Sequence, residues 1–227
     1  METDVPALQL TPLEARILGS LIEKEVTTPD YYPLTVNALL AACNQKNNRA
    51  PVVAFDEATL ARGVYSLQGK HLLEFFSGAS ARVLKYRQLL TRHLELAPDE
   101  QAVICELLLR GPQTAGELRN RATRLHPFAT LEEVQATLER LAARPTGPLI
   151  AELPRQPGQK ETRVAHLLGD APPTVEVVQA EIPLPAAMTA VMEESARLAE
   201  LETRVVTLED EVAALKTLFQ SFKAQFE

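Results

Sequence analysis

The chain has 227 residues, of which 46% are hydrophobic, and these values allow one or two domains with a sizeable core. Aromatic residues make up 5% and tryptophan is missing, which argues against a single-strand-binding protein that stacks bases on many aromatic rings. The two cysteines, Cys43 and Cys105, form no CxxC pair, which excludes a disulfide framework and a cysteine-rich zinc site. No apolar run reaches the roughly 18 residues that cross a membrane, and the first ten residues lack an apolar signal core. We therefore expect a soluble, cytoplasmic protein.

The net charge of −7 is unevenly distributed. Residues 1–168 contain 19 basic and 19 acidic side chains, whereas residues 169–227 contain 4 and 11. Between Cys43 and His93 the chain has 8 basic residues against 3 acidic ones. Because local charge decides whether a polyanion can bind, this basic segment favours binding of a nucleic acid.

A diverged internal repeat organises the first 168 residues. The segment LTPLEARILGSLIEK, which starts at Leu10, aligns with LAPDEQAVICELLLR, which starts at Leu96, at an offset of 86 residues. The offset falls to 79 and then to 74 further along, because the first copy has longer loops. The repeat predicts two copies of one structural module.

Each copy is predicted to contain three helices followed by a β-hairpin. Three helices begin with the pattern of a capping box, in which a threonine side chain and a glutamate three residues later bind each other's backbone N–H groups. These pairs are Thr11 and Glu14, Thr114 and Glu117, and Thr130 and Glu133. The third helix of each copy has core residues at helical spacing, namely Leu60, Val64 and Leu67, then Leu131, Val134, Leu138 and Leu141. This order of elements is typical of a winged helix-turn-helix domain, here present twice.

The C-terminal part of the chain has a different pattern. Four prolines between residues 169 and 187 predict an extended linker. Residues 188–227 are predicted to form a helix whose apolar residues alternate in steps of three and four, typical of a coiled coil that joins two chains. The predicted dimerisation residues are Leu198, Leu201, Val205, Leu208, Val212, Leu215, Phe219 and Phe222. An amphipathic helix that folds back on its own domains remains the alternative.

The predicted fold is therefore mainly α-helical with small β-hairpins, an α+β class. Residues 1–93 form the first winged-helix domain and residues 94–168 the second. Residues 169–187 form the linker and residues 188–227 the coiled-coil helix.

Catalytic signatures are missing from the sequence. It contains no GxSxG, phosphate-binding loop, GxGxxG or HExxH motif, and its four histidines are scattered. Cys43 is interpreted as a buried structural thiol and His166 as a half-buried, hydrogen-bonded strand residue. The adjacent Glu132 and Glu133 are interpreted as part of a solvated helix face. We expect no enzyme activity, no metal and no cofactor.

The basic segment of the first module coincides with the elements that contact DNA in winged helices. Arg can pair with guanine in the major groove, hydroxyls adapt to several bases, and Lys or Arg in flanking loops bind phosphates. The candidate DNA-binding residues are Thr59, Arg62, Ser66 and Lys70 on the third helix, Arg82, Lys85 and Arg87 in the hairpin, and Lys46 and Arg49 in the preceding loop. Together with the coiled coil, these residues predict a homodimer that binds double-stranded DNA, a transcription regulator being one such protein.

The second module has a different surface. Its third helix is predicted to expose Glu132, Glu133, Gln135, Glu139 and Arg140, and the acidic side chains would repel phosphate. Its basic residues lie elsewhere, at Arg119, Arg121, Arg124, Arg155 and Lys160. This module is interpreted as a spacer, a backbone clamp or a protein-binding copy. The alternative function is a non-enzymatic scaffold that binds protein, as the tandem winged-helix subunit of bacterial condensin does.

Several motifs carry a resemblance to a known family. They are TTPDYYPLT (residues 27–35), CNQKNNRAPV (43–52), RGPQTAGELRNR (110–121), LPRQPGQKETRVAHLL (153–168) and LETRVVTLEDEVAALK (201–216). With these motifs the chain resembles the YceH-like family of uncharacterised bacterial tandem winged-helix proteins. The resemblance implies the double winged-helix fold and supplies no activity.

Overall fold

The computed structural model of the chain describes residues 8–76, 84–155 and 161–169, all within one compact unit. This part contains seven α-helices and five short strands in antiparallel sheets. The coarse prediction of a helical chain with small β-hairpins is therefore confirmed. The predicted coiled coil and, apart from Gly169, the predicted linker lie outside the described residues.

The first half combines helices with a three-stranded antiparallel sheet. Its elements are α1 (Pro12–Thr27), β1 (Leu34–Thr35), α2 (Val36–Cys43), α3 (Glu57–Gly69), β2 (Leu73–Phe76), β3 (Lys85–Gln88) and the short α4 (Leu90–His93). The strand order is β1-β3-β2, and Tyr86 of β3 lies opposite both Leu34 and Phe75. The short strand β1 thus joins the hairpin that follows the third helix.

The second half repeats this order of elements. It contains α5 (Pro98–Arg110), α6 (Ala115–Arg121), α7 (Leu131–Ala142), β4 (Ile150–Leu153) and β5 (Arg163–His166). The strands β4 and β5 pair antiparallel, with Ile150 opposite His166. Gln113 forms an isolated bridge to Val164 of β5, as Leu34 pairs with Tyr86 in the first half. The two halves therefore share strand pairing as well as helix order.

Two of the three predicted capping boxes are complete. The Thr11 N–H donates to the Glu14 carboxylate over 2.7 Å, and the Glu14 N–H donates to the Thr11 hydroxyl over 3.3 Å. Thr114 and Glu117 repeat both bonds at the start of α6. At α7, Thr130 accepts from the Glu133 N–H, but the Glu133 carboxylate accepts from the Ala129 N–H instead.

The third helices bury most of the predicted core residues. Leu60, Val64 and Leu67 of α3 are at most 1% exposed, and Val134 and Leu141 of α7 are fully buried. Leu138 is half-buried. The prediction for Leu131 is wrong: its side chain is 39% exposed, because it is the first residue of α7 and the helical core begins one turn later.

Helices α1 and α5 pack against each other and join the two halves. The Cys105 thiol donates to the Gly19 carbonyl over 3.4 Å, across a sequence separation of 86 residues. A Cβ at Gly19 would lie 2.8 Å from Leu109 Cδ2, so the close approach of the helices requires glycine there. The separation equals the repeat offset, so Gly19 and Cys105 occupy equivalent positions. The proposed domain boundary between residues 93 and 94 stays a prediction. In the part of the chain that the structure describes, no helix is long and apolar enough to cross a membrane.

Candidate nucleic-acid interface

Helix α3 is the element on which the predicted interface depends. It begins at Asp56, whose carboxylate accepts from the Thr59 N–H over 2.7 Å and so satisfies an otherwise unpaired backbone donor. Its apolar side lies in the core of the first half. Only side chains on the other sides of α3 can contact a ligand.

One flank of α3 faces helix α1 rather than open solvent. The Lys70 ammonium donates to the Glu14 carboxylate over 2.7 Å and to the Gln9 carbonyl over 2.5 Å. Glu14 is 1% exposed. Burial raises the pKa of Glu14, but hydrogen bonds from Lys70, Thr11 and Ser66 outweigh it and hold the pKa below its ordinary value. The Lys70 ammonium is therefore engaged by a buried carboxylate, and Ser66 contributes a hydrogen bond to the same group, so the structure does not support their predicted roles as groove contacts.

Arg62 lies between this flank and the open side of the helix. Its guanidinium donates to the Thr59 hydroxyl over 3.0 Å, so the two predicted contact residues form one unit. Three residues later the side chain of Tyr65 is 44% exposed. Tyr65 is not among the predicted contact residues, although a helical wheel centred on Arg62 places it on the same side of α3.

The loop before α3 contains two predicted phosphate contacts, Lys46 and Arg49, which differ in their exposure to solvent. Lys46 is exposed. Arg49, in contrast, is 5% exposed and donates two hydrogen bonds to Glu23, over 3.0 and 2.5 Å. Its guanidinium also donates to the Ala42 carbonyl. The prediction that Arg49 binds phosphate is wrong, because all its donors are directed into the protein.

Glu23 is the centre of an ionic cluster, which we define as the buried Glu23, Arg49 and Glu106 with the partly exposed side chains of Arg110 and Arg124. Arg124 lies 2.5 Å from one oxygen of Glu23 and 3.4 Å from an oxygen of Glu106, and Arg110 also pairs with Glu106. Burial raises the pKa of Glu23, but bonds and charge from Arg49, with the charge of Arg124, outweigh it and lower the pKa. Burial raises the pKa of Glu106 despite its two arginine partners.

The CNQKNNRAPV segment contacts helix α5 next to the ionic cluster. Asn48, at a φ of 60°, accepts a hydrogen bond of 2.5 Å from Arg110 of α5. The Ala50 N–H donates to the Leu109 carbonyl over 3.0 Å. This loop of the first half is therefore fastened to a helix of the second half. This role was not predicted, because the hydrogen bond joins residues 62 positions apart in the sequence.

Strand β3 carries the basic residues of the hairpin. Tyr86 and Gln88 are buried, and the alternating Lys85 and Arg87 lie on the half-exposed face, as predicted. Arg87 pairs with Glu74 over 3.2 Å and lies 5.0 Å above the centroid of the Phe76 ring. Both partners of this ion pair are about two-fifths exposed, so the pair is weak and leaves Arg87 accessible. Arg82 lies outside the described residues.

The second half presents an acidic third helix. Its predicted outer residues are all exposed, namely Glu132, Glu133, Gln135, Glu139 and Arg140. Of the basic residues predicted nearby, Arg121 pairs with Glu117 and Arg124 belongs to the ionic cluster. Arg119 and Arg155 are exposed, and Lys160 lies outside the described residues.

Cys43 and His166 are the reactive side chains that the sequence singled out in the described part. Cys43 is buried as predicted, and burial raises its pKa to about 11. Burial lowers the pKa of His166 to about 4, and its buried Nδ1 has no hydrogen-bond partner among residues 8–76, 84–155 and 161–169, contrary to expectation. Within the same residues no three His, Cys, Asp or Glu side chains lie together as metal ligands.

Comparison with known proteins shows close relatives over nearly the whole chain. A family model described as "Protein of unknown function, DUF480" matches residues 10–159. A UPF0502 protein of Geobacter sulfurreducens is 49% identical over 96% of this chain and 98% of its own length. A UPF0502 protein of Geotalea uraniireducens is 51% identical over 97% and 99%, and one of Vibrio atlanticus is 44% identical over 93% and 97%.

Proposed function

Since the chain belongs to the DUF480 family of UPF0502 proteins, which confirms the resemblance but supplies no activity, we propose its function from the surface of its first half. The protein is a non-enzymatic homodimer that binds double-stranded DNA through α3 and the elements beside it. A transcription regulator is one protein of this kind.

The order of elements supports a winged-helix assignment for each half. A helix, a short strand or bridge, two further helices and a hairpin follow one another, and the short strand pairs with the second strand of the hairpin. In helix-turn-helix proteins the recognition helix enters the major groove. By this assignment α3 is the recognition helix of the first half and β2–β3 is its wing.

The observation that carries the proposal is the placement of the accessible cations. Arg62 lies on α3, Lys46 in the loop before it, and Lys85 on the hairpin after it. None of the three forms a salt bridge within the described residues, although the charge of Arg62 also acts on the exposed Asp56 carboxylate. Even without Arg49, Ser66 and Lys70, one cation remains in each element that would face DNA.

The C-terminal heptads support the proposed homodimer. Val205 and Val212 occupy one core position, and Leu201, Leu208 and Leu215 the other. β-Branched residues at a with leucine at d favour two parallel strands. A dimer would present two copies of the basic surface to two half-sites of a duplex.

The experiment is fluorescence anisotropy with a labelled duplex across a salt series. Phosphate contacts by Lys46 and Lys85, two per chain and four per dimer, give a slope of log K against log salt of about −4, at roughly 0.9 per neutralised phosphate. Arg62→Glu should abolish binding, whereas Arg155→Glu, the same charge change in the second half, should weaken it much less. A slope near zero, or a larger loss for Arg155→Glu, contradicts the assignment.

A second function, protein binding through the second half, is favoured by α7. Its exposed face combines Glu132, Glu133 and Glu139 with the 39% exposed Leu131. A like charge about 4 Å from a phosphate costs about 4 kcal/mol at an effective dielectric near 20, so this helix is unsuited to a groove. If the protein does not bind duplex DNA at low salt, the result favours the scaffold function, in which the second half binds a protein.

A further inference from the structure

Helix α3 leaves one stripe of its surface uncovered, and we call Ala58, Arg62, Tyr65 and Gly69 the open face. Steps of four, three and four residues keep these positions on one side of a helix. Ala58, Tyr65 and Gly69 are exposed, and Arg62 is half-buried. A Cβ added at Gly69 would meet nothing within 4 Å. The open face therefore has a cation and an aromatic ring between two small residues.

Neighbouring groups define the limits of the open face. On one side, Ser66 and Lys70 are turned to the buried Glu14. On the other side, the negative charge of Glu57 acts on Tyr86 and raises the pKa of that phenol, after the larger effect of burial. Glu57 is five residues from Arg62, which places it about 140° around the helix. The acidic side chain thus lies away from the open face.

Arg62 is held in a defined orientation on this face. Its Nη2 donates to the Thr59 hydroxyl over 3.0 Å, and Thr59 is fixed by its own N–H bond to Asp56. An arginine has five donors, so most remain available for a ligand. Thr59 is in this sense a positioning residue and Arg62 a contact residue.

The chemistry of the open face matches the edges of particular bases. Arginine binds O6 and N7 of guanine in a bidentate manner, and an apolar side chain contacts the 5-methyl group of thymine. The small Ala58 and Gly69 let the helix backbone approach the groove closely. Three residues of helix rise about 4.5 Å, close to the 3.4 Å spacing of base pairs, so Arg62 and Tyr65 would reach neighbouring pairs.

We propose, resting on the function proposed above, that the open face selects DNA sequence: Arg62 binds a guanine and the ring of Tyr65 contacts the methyl group of a thymine one or two base pairs away. Sequence preference thus comes from the first half, and the accessible Lys46 and Lys85 supply affinity without preference.

The experiment selects preferred duplexes from a randomised library with the full-length protein. Anisotropy then compares the selected duplex with two derivatives, in which the guanine is replaced or the thymine is replaced by uracil, which lacks only the methyl group. Replacing the guanine should weaken binding by roughly 5- to 150-fold. Replacing thymine by uracil should weaken binding by the wild-type protein and have no effect on Tyr65→Ala.

Matched variants separate base contacts from folding. Arg62→Ala should remove the guanine preference, and Thr59→Val, which lacks the hydroxyl, should reduce it. Tyr65→Phe should keep the thymine preference because it keeps the ring. Tyr31→Ala removes the side chain of a 78% exposed tyrosine outside α3 and should leave both preferences unchanged.

The outcomes distinguish this inference from the function on which it rests. Equal binding to all duplexes, or preferences that survive Arg62→Ala and Tyr65→Ala, overturn the inference and leave DNA binding intact. No duplex binding at low salt overturns both. Loss of preference with unchanged salt slope and thermal midpoint supports the inference.

Discussion

The buried pair of Glu23 and Arg49 allows a quantitative prediction for Glu23→Gln. The substitution keeps the size of the side chain and removes its charge. Both side chains are fully buried in the structure, so the Arg49 guanidinium would remain in the interior without an anion. Removing one partner of a buried ion pair typically costs about 3–5 kcal/mol. We therefore expect the free energy of unfolding of Glu23→Gln to be about 3–5 kcal/mol lower than that of the wild type.

The expected change in melting temperature follows from chain length. For proteins of about 150–250 residues, 1 kcal/mol corresponds to roughly 2–4 °C, so the midpoint should fall by about 6–20 °C. Urea unfolding followed by far-UV circular dichroism measures the free energy directly.

A control variant tests whether the burial of the ion pair causes the expected loss of stability. Glu74→Gln removes the same charge from the pair with Arg87, whose side chains are 39% and 44% exposed. Exposed pairs contribute about 0–1 kcal/mol, so this variant should unfold almost like the wild type. A double variant of Glu23 and Arg49 should lose less than the sum of the single losses. If Glu23→Gln costs no more than Glu74→Gln, the ionic cluster does not stabilise the fold and the reasoning is refuted.

Four further predictions concern pH, assembly and the second half. Because the pKa of Glu23 is lowered in the folded protein, its contribution is complete above the ordinary value of 4.5 and is lost as the pH falls below it; urea titrations of Glu23→Gln should lack this acid-dependent loss. Because burial lowers the pKa of His166 from 6.5 to about 4, stability should fall as the pH falls between these values, and a pH series of urea titrations should show no such slope for His166→Asn. Light scattering should show a dimer for the full chain at tens of micromolar and a monomer after truncation at Pro185; a monomeric full chain would disprove the coiled coil. Glu139→Ala should leave duplex affinity by anisotropy unchanged or slightly higher, and a marked loss would place α7 at the DNA.

Local features of the fold were predictable because they depend on short sequence separations. Capping by Thr11 and Thr114 involves residues three positions apart, and the core positions of α3 follow from the helical period. The alternation of Tyr86 and Lys85 follows from the period of a strand.

The candidate site was less predictable because its charges are paired over long separations. Arg49 binds Glu23 across 26 residues and Lys70 binds Glu14 across 56. Helical spacing correctly placed Arg62 at the surface. Which flank of α3 is covered depends on where α1 packs, and no periodicity contains that information.

The contact between Gly19 and Cys105 has a consequence for how the two halves can differ. Equivalent positions meet on a twofold axis when two identical subunits form an isologous dimer. In this chain the equivalent Gly19 and Cys105 are likewise in contact, but the two copies are joined covalently. Fusion removes the requirement that both copies keep the same surface. The two third helices can therefore differ in charge, and the segment after the second helix fastens each copy to the other through different residues, Asn48 in the first half and Arg124 in the second.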